Sequence, residues 1–392
     1  MKGWPVTRLG DVCRFEKEIG VHRGLPYVGL EHIESNTGRF IGSAAPHSVK
    51  SATFRFTVEH VLYGRLRPYL NKALAPAFEG HCSTEIFPIK PVRQLSREYL
   101  LYWLLADDTA ARINETCTGA RMPRANMNDV LDFEFLLPPL AEQRRIVKVL
   151  EEALAGLATA QANAARNLQN ARALFESHLE SVFAMRPGGW EEDRLESLTT
   201  KIGSGATPRG GKESYKPKGV PLIRSLNVYD ASFRYEKLAF LSSVQADALS
   251  NVVVEKGDVL LNITGASVAR CCVVPEDVLP ARVNQHVMII RPMAGKLSSG
   301  FLNYLLISRP YKRLLLQSGE EGGSTRQAIT KAHIQEFRIA HPKGLAEQRN
   351  IVAILDVLSA EVGRLEGLYR EKLAELATLK NSLLHHAFSG EL

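Results

Sequence analysis

The chain has 392 residues, 45% hydrophobic and 23% charged, with a formal net charge of +7, which suits a soluble protein of two or three domains. No apolar run reaches the roughly 18 residues of a membrane-spanning helix, and the opening MKGWPVTRLGDV lacks an apolar signal core, so we expect a cytoplasmic location. The five cysteines show neither a CxxC pair nor a Cys/His metal spacing, which argues against a disulfide scaffold and against structural zinc.

The first globular segment, residues 1–139, is predicted to contain short strands broken by Gly and Pro, followed by a helix at 97–105. A basic and aromatic cluster lies at Arg65, Arg67 and Tyr69, with Asn71 and Lys72 just after it. Arg side chains can read guanine and Asn side chains can read adenine. Each residue alone is more often structural, but as a cluster in a loop they are candidate DNA contacts.

A long helix is predicted over 140–186, because no proline interrupts Leu140 to Phe183 and apolar residues recur at alternating steps of four and three. This spacing is typical of a coiled-coil seam, which Asn167 interrupts. A polar residue in a seam costs stability but can fix the register. The predicted seam residues are Ile146, Leu150, Ala153, Leu157, Ala160, Ala164, Ala171 and Leu174.

The second globular segment, residues 187–343, is predicted to hold strands at 220–223, 252–254, 259–263, 272–274 and 287–290 and a helix at 301–316. Short strands separated by turns and followed by a helix indicate, in both segments, an α/β (α+β) domain with a mainly antiparallel, curved sheet.

Two stretches of this second segment are candidate DNA contacts. Residues 201–212, KIGSGATPRGGK, fail the phosphate-loop pattern GxxxxGK[ST] because Glu213 follows the GK pair, which argues against nucleotide binding. Their composition suits a loop that grips DNA phosphates, with a plain solvated loop as the alternative. Asn284, Gln285 and His286 precede a predicted strand, and Thr84 lies in the matching place of the first segment at an offset of 201.

The second long helix, predicted over 344–392, repeats the first one at a constant offset of 205, so that LAEQRRIVKVL at 140–150 returns as LAEQRNIVAIL at 345–355. The globular segments match more loosely, at offsets of 186 and 204. Two diverged domains beside helices of fixed length are typical of a molecule that holds two readers apart. The simplest partner of each helix is the other one, running antiparallel; packing on its own domain or on another chain remains the alternative. The second predicted seam, interrupted at Lys372, is Ile351, Leu355, Leu358, Val362, Leu365, Tyr369, Leu376, Leu379 and Leu383.

The excess positive charge lies on the globular segments. Lys+Arg minus Asp+Glu is 17 − 15 = +2 over 1–135 and 21 − 15 = +6 over 186–340, a modest indication of a polyanionic partner. No GxGxxG, HExxH, GxSxG or Asp/Asn-Pro-Pro-aromatic motif occurs, so we expect no catalytic residue, no metal and no cofactor. The candidate DNA contacts are Arg65, Arg67, Tyr69, Asn71, Lys72, Thr84, Arg121, Lys201, Ser204, Thr207, Arg209, Lys212, Arg224, Asn227, Asn284, Gln285, His286 and Arg326.

Six short motifs recur in a fixed order: PPLAEQ at 138–143, GSGATP at 203–208, GDVL at 257–260, NQH at 284–286, LAEQ at 345–348 and AFSGEL at 387–392. Together, over essentially the whole chain, they resemble the specificity (S) subunits of type I restriction–modification systems. The first copy departs from the pattern, because it has EHVL at 59–62 and lacks the GSGATP loop, so its contact residues are less well defined.

The resemblance implies two target-recognition domains, each reading one half of a split site in double-stranded DNA, and paired helices that set the spacer. It also implies two methyltransferase subunits that use S-adenosylmethionine, which two ATP-dependent motor-nuclease subunits can join. We expect the methyltransferase to dock near the LAEQ motifs and on the helix faces at 179–183 and 384–388. A coiled-coil scaffold that binds no DNA and a fused restriction-methyltransferase are the alternatives, although no part of the chain is free to hold a methyltransferase domain.

Overall fold

The computed structural model describes residues 3–119, 121–185, 189–208, 211–318 and 328–392, and these form two units. The first unit runs to Arg166 and adds Tyr369–Leu392, and the second is Asn167–Leu368. Each unit therefore combines one globular domain with parts of both long helices.

In its described residues the first unit has twelve strands and four short α-helices before the first long helix. The strands are β1 Val6–Arg8, β2 Cys13–Phe15, β3 Ile19–Gly20, β4 Tyr27–Val28, β5 Thr53–Phe56, β6 Val61–Gly64, β7 Ala73–Leu74, β8 Gly80–Cys82, β9 Ile86–Pro91, β10 Cys117–Thr118, β11 Arg124–Ala125 and β12 Glu134–Leu136. The helices are α1 Leu9–Val12, α2 Arg97–Leu105, α3 Asp107–Glu115, α4 Met127–Leu131 and the long α5 Leu140–Met185.

The second domain repeats this order. Its strands are β13 Trp190–Arg194, β14 Thr199–Ser204, β15 Val220–Ile223, β16 Val228–Tyr229, β17 Ser232–Phe233, β18 Ala239–Leu241, β19 Val253–Val254, β20 Val259–Asn262, β21 Cys271–Val273, β22 Ala281–Val283, β23 Val287–Pro292 and β24 Arg338–Pro342. Its helices are α6 Leu195–Leu198, α7 Ser243–Asp247, α8 Ser299–Ile307, α9 Arg309–Ser318, α10 Lys331–Glu336 and the long α11 Leu345–Ser389.

Each domain is built on two four-stranded sheets. The orders are β2-β9-β6-β7 and β3-β5-β8-β4 in the first domain, and β14-β23-β20-β21 and β18-β15-β22-β19 in the second. Pairing within these four sheets is antiparallel except for β4 with β8 and β15 with β22, which are parallel at matching places. The predicted duplication of an α+β domain with mainly antiparallel sheets is confirmed.

The single helix predicted at 301–316 is wrong: α8 and α9 are separated at Ser308, whose backbone is extended (φ −61°, ψ 143°). Pro310 cannot occupy the interior of a continuous helix, because it lacks an amide hydrogen and its ring clashes with the preceding turn. The first domain breaks at the matching residue, Ala106, between α2 and α3.

A buried glutamine joins each long helix to its domain. Gln348 is fully buried; its Oε1 accepts from the Ser298 amide at 2.8 Å and its Nε2 donates to the carbonyls of Lys296 and Pro342, both at 2.9 Å. Gln143 makes the same three bonds in the first unit, at 2.7, 2.8 and 2.8 Å. The glutamine of the LAEQ motif is therefore a structural clamp rather than an exposed docking residue.

Within each unit the two long helices run antiparallel, as predicted. In the first unit Ile146 and Leu150 of α5 share a core with Leu384 and Ala387 of α11. In the second unit Phe183 shares a core with Leu355, and Arg172 bonds to Glu366 at 3.0 Å. The 46 and 45 residues of these helices correspond to roughly 68 Å each at about 1.5 Å per residue. No helix in the described part of the chain is apolar over a length that could cross a membrane.

The predicted seam is wrong in the middle of both helices. Asn167 is exposed and Leu168 is half-buried instead, while Leu174, a predicted seam residue, is 57% exposed. Two successive steps of four, from Ala160 to Ala164 to Leu168, shift the buried stripe, which is a stutter in the heptad pattern. The second helix shows the same shift at Lys372, Leu373 and Leu379.

The helix faces proposed as methyltransferase contacts are also largely unavailable. Leu179 and Phe183 are 5% and 1% exposed in the core of the second unit, and Leu384 and Ala387 are 1% and 0% exposed in the core of the first. These residues attach the helix ends to the globular domains.

Candidate nucleic-acid interface

Four loops of the second domain meet at one edge of its two sheets. They follow the ends of β14, β15, β20 and β22, at residues 205–208, 224–227, 263–270 and 284–286. Backbone bonds tie them together: the Asn284 amide donates to Ile223 O at 3.0 Å, and the Ile263 amide donates to His286 O at 3.0 Å. The fold thus brings together the polar segments at 204–207 and 284–286 that the sequence singled out.

A close backbone approach at Gly205 explains the second glycine of the GSGATP motif. An ideal Cβ at this position would lie 1.7 Å from Val283 O, so any other residue would collide with the neighbouring strand. The Gly205 amide donates to Asn284 O at 3.2 Å. The loop after β14 is therefore seated directly on the loop after β22.

This contact leads to a chain of side-chain hydrogen bonds. The Thr207 hydroxyl donates to Gln285 Oε1, and Gln285 Nε2 lies 3.1 Å from His286 Nε2. On its other side, His286 Nδ1 lies 2.6 Å from Thr264 Oγ1. Gln285 itself is exposed, so its carboxamide is both held and accessible to solvent.

The first domain places different side chains at the same edge. Arg65 and Arg124 both bond to Glu85, at 3.0 and 2.9 Å, which joins the loop after β6 to the β10–β11 hairpin. Burial opposes ionisation of Glu85, but the hydrogen bonds and charges of the two arginines hold the pKa of this carboxyl below its ordinary value. Arg65 and Glu85 are therefore bound to each other, and Thr84, between β8 and β9, is half-buried.

The loop after β6 presents Arg67 and Tyr69 to solvent. Its backbone is left-handed at Arg67 and Asn71, with φ of 51° and 42°, and the second domain has the same pair of left-handed residues at Gly265 and Ala269, with φ of 79° and 64°. Arg67 and Tyr69 are exposed, Tyr69 to 56%. These two side chains are the accessible part of the predicted cluster.

Several predicted contacts have structural roles instead. Asn71 and Asn227 are 1% and 0% exposed and bond to backbone atoms of their own domains. Lys72 Nζ donates to two backbone carbonyls at 2.6 and 2.8 Å. Asn284 is 5% exposed, and its Oδ1 accepts from the His286 amide at 3.1 Å. These four side chains bond within their own domains, which gives them structural roles.

The remaining predicted residues are dispersed. Arg121 is exposed between β10 and β11, and Arg224 is half-buried with its guanidinium 5.3 Å from the Tyr215 ring. Ser204 is exposed at the end of β14, and together with Lys201, further back on the same strand, it lines a polar hollow of about 580 Å³. Arg209, Arg326 and the side chain of Lys212 lie outside the described residues.

Three cations at these edges were not predicted. Lys17 follows β2, and its Nζ lies 4.1 Å from the centre of the Phe87 ring; burial, and then the charge of Arg65, lower its pKa. Arg234 and Arg270 flank Tyr229 at 3.6 and 4.5 Å. A basic residue near an aromatic one is the available signal. It could have found Arg234, five residues after Tyr229, whereas Lys17 lies too far from Phe87, and Arg270 too far from Tyr229, in the sequence to be matched. Among the described residues no cluster of His, Cys, Asp and Glu has the arrangement of a metal site.

Comparisons with known proteins agree with this architecture. The family model "Type I restriction modification DNA specificity domain" matches residues 63–165 and 187–371. The EcoDI type I restriction enzyme specificity subunit of Escherichia coli is 27% identical over 234 residues, which span 55% of this chain and 51% of that protein. The chain therefore matches about half the length of that relative.

Two solved structures resemble the whole chain. One, from work on assembly and conformational transition of the type I R-M system, has a TM-score of 0.81 at 26% identity and covers 100% of this chain and 99% of its own. The HsdS subunit of Thermoanaerobacter tengcongensis has a TM-score of 0.64 at 25% identity, covering 100% and 98%. With the family model matching more than half of its residues in two segments, the chain belongs to the type I restriction modification DNA specificity domain family.

Proposed function

We propose that this chain is the DNA-sequence-specificity subunit of a type I restriction–modification complex and acts in the cytoplasm. Each globular domain reads one half of a bipartite site in double-stranded DNA, and the two long helices set the spacer between the halves. The division into recognition domains and spacer helices is 1–139, 140–186, 187–343 and 344–392.

The proposal rests on one observation: the two domains share the same backbone framework, but they expose different side chains at the same edge. At the shared edge the first domain exposes Arg67 and Tyr69, whereas the second exposes Gln285 and Ser204. Base edges in the major groove differ in their donors and acceptors, so different side chains on one framework favour different base sequences. A scaffold that binds no DNA would have no use for this difference.

We also propose that the chain contributes no catalytic residue and binds two methyltransferase subunits, which two motor-nuclease subunits can join. S-adenosylmethionine and ATP are then bound by those partners. Exposed apolar residues on α11 support such docking, since Ile354 and Val357 are 51% and 72% exposed one turn apart.

The test is to map methylated adenines in a genome with and without this chain, expressed beside the methyltransferase encoded next to it. We expect a new bipartite motif with a fixed gap, which gives both half-sites at once. If the complex forms and no new motif appears, the scaffold alternative is favoured and the proposed function is wrong.

A further inference from the structure

The carboxamide of Gln285 has hydrogen-bond partners on two sides at the edge of the second domain. It lies two residues beyond the end of β22, is exposed, and bonds on one side to the loop after β14 and on the other to His286. Of the three residues at 284–286 it is the exposed one, since Asn284 is 5% exposed and His286 is half-buried. An exposed amide held from two sides is unusual, because surface glutamines ordinarily sample several rotamers.

In the structure the carboxamide Oε1 faces the Thr207 hydroxyl and Nε2 faces His286 Nε2. The amide Nε2 can only donate, so His286 Nε2 must accept, and the imidazole proton then resides on Nδ1 and is donated to Thr264 Oγ1, 2.6 Å away. The Thr207 hydroxyl donates to Oε1. A carboxamide has two donor hydrogens and two acceptor sites, so one N–H and one oxygen lone pair remain free on its outer side.

We propose that Gln285 determines specificity in the second domain by reading an adenine in the major groove, preset in its reading orientation by Thr207 and by the His286–Thr264 pair. One free donor beside one free acceptor matches adenine, which presents the N7 acceptor and the N6 amino donor there. Guanine presents two acceptors at the same place and leaves the Gln285 oxygen unpaired. This inference rests on the proposed function and adds the residue and the base.

The first domain supports the assignment by contrast. Strands β8 and β22 have matching parallel pairing, Cys82 with Val28 and Val283 with Ile223, so Thr84 occupies the position of Gln285. A threonine hydroxyl at that point lacks the paired donor and acceptor of a carboxamide. Adenine reading from this position is therefore a property of the second domain alone.

The test compares methylated motifs made by the full-length chain, expressed with its methyltransferase, on a plasmid library with randomised half-sites. Gln285→Ala is expected to lower the preference for adenine at one base pair of one half-site by about tenfold or more, with the other positions kept. Thr207→Val, which removes the hydroxyl at nearly constant shape, is expected to weaken the same preference partially. Gln169→Ala, on an exposed part of α5, is the neutral control.

Three results contradict the inference. Gln285→Ala with an unchanged motif shows that another group reads this base, and uniform relaxation of the whole half-site shows a structural role. Thermal unfolding of Gln285→Ala and Thr207→Val serves as the control. If it is unaltered, a changed motif reflects lost base reading and not misfolding. A wild-type chain that yields no motif overturns both the proposed function and the inference, whereas a wild-type motif that is unaffected by Gln285→Ala overturns the inference alone.

Discussion

Replacing the clamp glutamine, Gln348→Ala, is expected to destabilise the second unit far more than a surface change. The side chain is fully buried and makes three hydrogen bonds of 2.8–2.9 Å, all to backbone groups. A neutral hydrogen bond contributes about 1 kcal/mol net, and a buried group left unpaired costs about 1–3 kcal/mol. Allowing for water that enters the vacated space, we expect the free energy of unfolding to fall by about 2–4 kcal/mol.

The measurement is urea unfolding of the full chain, with hydrogen exchange to locate the loss. Exchange is expected to rise at the start of α11 and around Ser298, and Gln143→Ala is expected to give the same loss at the start of α5. Gln169→Ala, exposed on the same helix, serves as the matched control and is expected to change stability by no more than about 0.5 kcal/mol.

Gln348→Glu adds a sharper test, because a carboxylate cannot donate to the two carbonyls that the amide bonds. We expect Gln348→Glu to be less stable than Gln348→Ala near neutral pH. If both variants unfold like the Gln169→Ala control, the clamp contributes nothing to holding the helix, and the reasoning from its three bonds is refuted.

Three other outcomes are expected. Gly205→Ala should abolish methylation at the second half-site, because its Cβ meets a carbonyl at 1.7 Å. Gly203→Ala, with nothing within 4 Å of its Cβ, should leave methylation unchanged. Equal effects of the two substitutions would contradict the close approach. Burial lowers the pKa of His60 below its ordinary 6.5, despite the opposing charge of Glu16. The folded state therefore favours neutral His60, and this contribution to the free energy of unfolding is complete above about pH 6.5 and is lost as the pH falls through the folded pKa. Urea unfolding at about pH 7.5 and about pH 5.5 should therefore show a larger drop for the wild type than for His60→Gln. Exchanging residues 190–340 for the matching domain of another family member should change one half-site in methylation mapping; a change in both would contradict modular reading.

The long helices were the most predictable part of the fold, since about twelve turns of apolar spacing outweigh any local ambiguity. The stutter was not predictable, because steps of three and four are both helical and either Asn167 or Leu168 continues the stripe within one turn. The burial of Leu168 decides the register, and burial is a property of the packed structure. The break at Ser308 could have been predicted, since Pro310 is incompatible with a helix interior.

The sequence showed which polar loops form the candidate site, but it did not show which of their residues are exposed and which are structural. Asn71, Arg67 and Tyr69 are close neighbours in one polar loop, yet the left-handed backbone at Asn71 turns its side chain inward, where Nδ2 donates to a carbonyl at 3.1 Å. No propensity distinguishes a buried asparagine from an exposed one. The Thr207, Gln285 and Thr264 chain was equally hidden, because its members come from three loops that meet only after two sheets have formed.

The two copies show which contacts resist divergence within one molecule. Just before β20, Asp258 pairs with Arg291 at 2.7 Å. The matching residues of the first domain, His60 and Lys90, bond instead to Glu16 at 3.2 Å and to Glu59 at 2.8 Å. Side chains that bond to other side chains can change partners, so these contacts have drifted. The clamp glutamines bond to backbone groups, which every sequence supplies in the same positions, so no partner change can compensate for their loss. At the loop edge the side chains of the two copies differ at matching places, so the same framework carries Thr84 in one copy and Gln285 in the other.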